Sequence, residues 1–185
     1  MSRFAYSVLT LMVMLLLPAC GTQRKAAEAS ISAAQAAYDE IRDEAMNVAP
    51  DQARMIEDAI ATARADVEKG DPKAALEATR DLPAKVKELD EGLYARAGEL
   101  QAAWKGLNAT LPSAVASLDK RMGAMARPPA GMNRADFAIA RTTLADMKTR
   151  WGEATTAMKD GKLAEAVTRA RGVKASAVDL MTEMK

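Results

Sequence analysis

From Ile31 to Met184 the apolar residues of this chain recur at alternating spacings of three and four. That spacing lines them along one stripe of an α-helix, and the period-two alternation of a half-buried strand is absent. The first run is Ile31, Ala34, Tyr38, Ile41, Ala45 and Val48, ending at Ala49–Pro50. The second, Ile56, Ile60, Ala63 and Val67, ends at Gly70–Asp71–Pro72. Gly70 suits the left-handed position past a helix end, Asp71 can accept the orphan amide hydrogens of the next helix, and Pro72 can open it. Such a short connection predicts a helical hairpin.

The third run extends from Leu76 through Leu82, Val86, Leu89, Leu93, Leu100 and Trp104 to Leu107, with Pro83 inside it. Pro83 removes one helical hydrogen bond and predicts a kink, the alternative being a break with Asp81 as a fresh cap. The stripe resumes with Leu111, Val115, Leu118, Met122 and Met125, in phase across Pro112. One long kinked helix fits that phase. The capping and stopping residues of Asn108–Pro112 favour a turn instead. Arg127–Met132 is the one clear loop, and Asn133 with Asp136 opens a helix carrying Phe137, Ala140, Leu144, Met147, Trp151, Ala154 and Met158. Gly161 closes it, and Leu163, Ala166, Ala170, Val173, Ala177, Leu180 and Met184 follow.

The expected fold is therefore all-α: an antiparallel bundle of about six helices. Laying Gly70 on Gly161 aligns Ile56 with Met147, Ala63 with Ala154, Arg80 with Arg171 and Leu89 with Leu180. This suggests two copies of a three-helix unit. It also aligns Pro83 with Lys174, in uninterrupted helix, which favours the kink.

The first twenty residues read differently. Arg3 precedes an apolar run over residues 4–17, too short for a bilayer span of ~20 residues but suited to the core of a secretory signal. It ends in Leu17–Pro18–Ala19–Cys20–Gly21, with the only cysteine of the chain. Leu at minus three and a small residue at minus one resemble the lipobox of bacterial lipoproteins, though Pro18 stands where a small or hydroxyl residue is usual. The resemblance implies cleavage before Cys20, a diacylglycerol on its sulfur and palmitate-like acylation of its amine. Gly21, rather than Asp, implies sorting to the periplasmic face of the outer membrane. The expected organisation is a signal peptide (1–19), a lipidated leash (20–29), and helical units over 30–110 and 111–185. A helix behind the cysteine, then Ala49–Pro50, an Ala-rich helix, Gly70–Asp71 and Ala74–Ala78 also resemble the small helical module of bacterial envelope lipoproteins. That likeness covers roughly residues 20–90. The module sometimes precedes an OmpA-like peptidoglycan-binding domain; the sequence after it shows no such domain, so that role is not inherited.

Composition narrows the chemistry. The chain has no histidine, which removes the commonest general acid/base and metal ligand. Beyond the signal, 25 basic residues face 25 acidic ones, so nothing points to nucleic acid. The halves differ: 17 acidic and 12 basic residues lie between Gly21 and Thr110, against 8 and 13 after it. The basic half is a candidate for an acidic envelope surface such as peptidoglycan. Lys185 ends the chain. There it resembles the terminal lysine through which murein-bound lipoproteins of enteric bacteria join peptidoglycan, though a cation at a helix C-terminus is also favoured by the dipole.

The remaining clusters read as packing or solvated surface. Met122, Met125 and Met132 surround the loop and are thioether candidates for Cu(I), but two lie on the apolar stripe. Asp39, Glu40, Asp43 and Glu44 lack the histidines of a bundle di-metal site. Trp104 and Trp151 fall on stripes, one in each expected unit, as core residues. No catalytic residue, metal or cofactor is expected. The expected role is a non-catalytic scaffold with a protein partner, or else attachment to or recognition of the cell wall.

Overall fold

The computed structural model describes residues 17–184, and side chains from Gly21 onward. The expected signal peptide up to residue 16 and the terminal Lys185 lie outside the described residues. All regular structure among the described residues is α-helical: α1 (Leu17–Val48), α2 (Pro50–Glu68), α3 (Pro72–Thr79), α4 (Leu82–Gly123), α5 (Arg134–Lys159) and α6 (Leu163–Glu183). They form two compact units. The first contains α1 to Met46, α2, α3 and the start of α4 to Gly92; the second contains Asn47–Ala49 and Leu93 onward.

Within the first unit the stripes meet as the spacing predicts. Ala27, Ile31, Ala34 and Tyr38 of α1, Ile56, Ile60 and Val67 of α2, and Leu82, Val86 and Leu89 of α4 are all buried. Polar contacts tie the elements together: Ser30 Oγ donates to Thr79 Oγ1 (2.9 Å), and Arg64 Nη2 donates to Gln35 Oε1 (3.1 Å). In the second unit Leu111, Val115, Leu118 and Met122 of α4 are buried, as are Phe137, Leu144 and Met147 of α5 and Val167, Val173 and Leu180 of α6. Here Lys148 pairs with Asp119 (2.6 Å), and Arg121 Nη2 donates to the Met184 carbonyl (2.8 Å). Each unit is a helical bundle.

Both hairpin turns close in the same way. Gly70 and Gly161 take φ of +85° and +78°, a region open chiefly to glycine. The Asp71 amide donates to the Asp66 carbonyl (2.8 Å) and the Gly70 amide to Val67 (3.1 Å); Lys162 to Ala157 (2.9 Å) and Gly161 to Met158 (3.2 Å) repeat the pattern. These are the six-to-one and five-to-two bonds of a Schellman ending. The caps follow: Asp71 Oδ1 accepts from Ala74 N (3.0 Å) and Asn133 Oδ1 from Asp136 N (2.8 Å).

Three expectations are corrected. Residues 21–29 form no leash, because α1 is already helical there and Ala27 is completely buried. The segment is rich in helix formers, and Arg24 and Glu28 pair one turn apart at 2.9 Å. The kink expected at Pro83 is a break at Arg80–Asp81. Pro83 then sits in the first turn of α4, where its missing N–H is no loss, and Lys85 N donates to Asp81 O (3.0 Å). The turn expected at Asn108–Pro112 does not form, and α4 passes through Pro112 to Gly123. Leu107, Leu111 and Val115 stay buried in phase while Pro112 and Asn108 face solvent, so water can satisfy the carbonyl that Pro112 leaves unbonded. The units accordingly divide at Gly92–Leu93 within α4, and not at the supposed turn near residue 110.

Candidate functional site

Cys20 falls in the first turns of α1, on the same continuous helix that enters the first unit's core at Ala27. Beside those turns a shallow groove of about 540 Å³ runs between α1 and α2. Ile31, Ala36 and Val67 form its apolar part, and Arg24, Glu28, Gln35, Asp39, Arg64 and Glu68 its polar rim. Five of these six polar residues bond within the rim. Arg24 pairs with Glu28, Gln35 donates to Asp39 Oδ1 (2.6 Å), and Arg64 donates to Gln35. Sequence spacing shows the two pairs four residues apart on α1. It could not show Arg64, which is brought in by the hairpin.

Between the groove residues Gln35 and Asp39, Tyr38 is wholly buried and its hydroxyl donates to Glu57 Oε1 at 3.3 Å. Arg42 Nε donates to the same oxygen at 2.9 Å. Burial, then the neighbouring Glu57 carboxylate, push the Tyr38 hydroxyl above the usual tyrosine value, since both disfavour a phenolate. The Arg42 guanidinium is held charged, chiefly by its hydrogen bond to Glu57. A neutral donor, a carboxylate and a fixed cation satisfy one another here. The arrangement locks α1 to α2.

The sequence candidates separate. Asp39, Glu40, Asp43 and Glu44 are exposed on α1. Among the described residues no three histidine, cysteine or acidic side chains gather as a metal site. Met122 is buried in the second unit, and Met125 and Met132 are half-buried. Trp104 and Trp151 both belong to the second unit, not one to each, and stack with centroids 5.6 Å apart and planes 11° from parallel. Both are only partly buried. That contact joins residues far apart in the chain, which stripe positions alone do not reveal. In the basic half, Arg169 bridges Glu153 and Glu165, while Arg171 and Lys174 are exposed on α6. No helix among the described residues is long and apolar enough to cross a membrane. The chain matches no family model, and no curated protein or solved structure is similar to it.

Proposed function

We propose that this chain is a lipid-anchored, non-catalytic envelope protein. Cleaved before Cys20 and acylated there, it is held on the periplasmic face of the outer membrane, where its helical units bind a protein partner. The carrying observation is the Arg3, apolar run and Leu17–Cys20 series at the N-terminus. More than one acyl chain, at ~0.8 kcal/mol per buried CH₂, gives stable anchoring where a single chain is marginal. A non-catalytic reading is supported by the Tyr38, Glu57 and Arg42 side chains, which are engaged with one another.

The architecture we infer is duplicated. At an offset of 91 residues the turn hydrogen bonds coincide, and Ala53, Ile56, Ala63, Ala75, Leu82, Val86 and Leu89 fall on Leu144, Met147, Ala154, Ala166, Val173, Ala177 and Leu180, all buried. Glu57 and Lys148, 91 residues apart, each pair with the preceding helix, to Arg42 and Asp119, although Arg42 and Asp119 do not share that offset. Two antiparallel three-helix units account for these coincidences.

Intact mass of the membrane-extracted protein tests the anchor. The expected species begins at Cys20 and carries a diacylglycerol, and Cys20→Ser should leave the protein unprocessed and without acyl mass. Crosslinking in detergent, repeated with Arg171→Glu and Lys174→Glu, tests the partner; an unchanged set of crosslinked proteins removes the basic face of α6 from that role. A second reading, cell-wall attachment or recognition, is favoured by charge. The second unit carries 15 basic against 9 acidic residues, and Lys185 offers a side-chain amine. Muropeptide on Lys185 after lysozyme digestion of sacculi would establish covalent attachment; its absence, with the protein wholly detergent-soluble, would exclude it.

A further inference from the structure

We infer that the end of the first unit formed by the α1 N-terminus and the α2–α3 turn seats directly on anionic lipid headgroups. The unit is then a rigid post and not a tethered body. The inference rests on the lipid anchor proposed at Cys20.

Three observations carry it. The first is the absence of slack. The helix containing Cys20 runs without interruption to Val48, and Ala27, about 10 Å along it at 1.5 Å per residue, is already fully buried. The second is the position of the α2–α3 turn. Arg24 and Glu28 share a groove with Val67 and Glu68 at the end of α2, and Thr79, at the end of α3, bonds Ser30. The turn at Lys69–Lys73 therefore lies near the Arg24–Ser30 stretch of α1, about 10 Å along the helix from Cys20.

The third is charge. At the anchored end Arg24, Lys25, Lys69 and Lys73 are all exposed. Four acidic residues there, Glu28, Asp66, Glu68 and Asp71, balance them; two of these are engaged by Arg24 and Lys69, and Asp71 caps α3. The opposite end carries six exposed acidic residues, Asp39, Glu40, Asp43, Glu44, Asp51 and Asp58, against two exposed cations, Arg42 and Arg54, which pair with Glu57 and Asp51. An anionic surface repels that end, while the neutral end with its long Lys stems can reach the headgroups. Upright seating satisfies both the short covalent connection and the charge distribution. Asp43 then stands about 35 Å along α1 from Cys20.

The test uses the full-length acylated protein in vesicles of phosphatidylethanolamine and phosphatidylglycerol. Acylated Cys20 has no thiol, so a dye placed through Lys73→Cys or Asp43→Cys labels one site on an exposed position. Energy transfer to a headgroup-labelled acceptor lipid should be strong from position 73 and several-fold weaker from position 43, given heights of about 10 and 35 Å. Equal transfer from both, in protein that floats with the vesicles, overturns the post and leaves the anchor standing. Protein that carries no acyl mass and does not float overturns the anchor and the post together.

Discussion

Tyr38 shows what a single side chain settles in this protein. The phenol fills the contact between α1 and α2, and its hydroxyl meets Glu57 beside Arg42. Tyr38→Phe keeps the ring and loses one long hydrogen bond of 3.3 Å, so urea unfolding should show a loss of about 1 kcal/mol. Tyr38→Ala removes the ring, and should cost about 3 to 5 kcal/mol. The pH dependence has a definite sign. Because the folded protein holds the Tyr38 proton more tightly than the unfolded chain does, its contribution is complete below about pH 10 and is lost as pH rises through the folded-state value. Wild type should therefore lose stability above about pH 10 more steeply than Tyr38→Phe, measured as urea midpoints between about pH 9 and 11.5. The buried position of Tyr38 is legible in the sequence, since it falls on the apolar stripe between Ala34 and Ile41. Glu57 as its partner is not, because that pairing depends on how α2 returns along α1.

Elements divide along the same line between local and non-local information. The hairpin turns at Gly70 and Gly161 are written locally, in residues that take positive φ or cap the next helix, and the chain obeys them. The prolines are ambiguous locally, because Pro opens a helix as readily as it interrupts one. At Pro83 a break one residue upstream makes the ring harmless; at Pro112 the burial of Leu107, Leu111 and Val115 outweighs the missing bond. Each such side chain contributes about 1.5 to 3 kcal/mol, against about 3 kcal/mol for an interior proline. The phase of the stripe across Pro112 was the better guide, and the local stopping residues the poorer one. The two sites should then respond differently to alanine. Pro112→Ala restores an interior bond and should raise stability by about 1 to 3 kcal/mol, with helix content by circular dichroism unchanged. Pro83→Ala should stay within about 0.5 kcal/mol of wild type. Equal effects at the two positions would mean that α4 is interrupted near Asn108 in solution.

At the scale of the molecule the sequence carries two messages of different reach. The lipobox-like series at the N-terminus bears on compartment and attachment, while the residues after it read almost wholly as packing. The buried positions that match at an offset of 91 residues are a statement about architecture, and they bring with them a symmetric energetic expectation. If the two units are copies, the same substitution at equivalent points should weaken each by the same amount. Gly70 and Gly161 are suited to this comparison, since a Cβ at either has no heavy atom within 4 Å and only the backbone conformation resists it. Gly70→Ala and Gly161→Ala should each cost about 1 to 2 kcal/mol, the penalty of holding an L-residue at positive φ. Amide hydrogen exchange read by peptide separates the units: Gly70→Ala should speed exchange over residues 50–92, and Gly161→Ala over residues 134–184, by comparable factors of about 5 to 30. A large effect at one glycine and none at the other would show that only one hairpin depends on its Schellman turn, and the case for two equivalent units would then lose its energetic half.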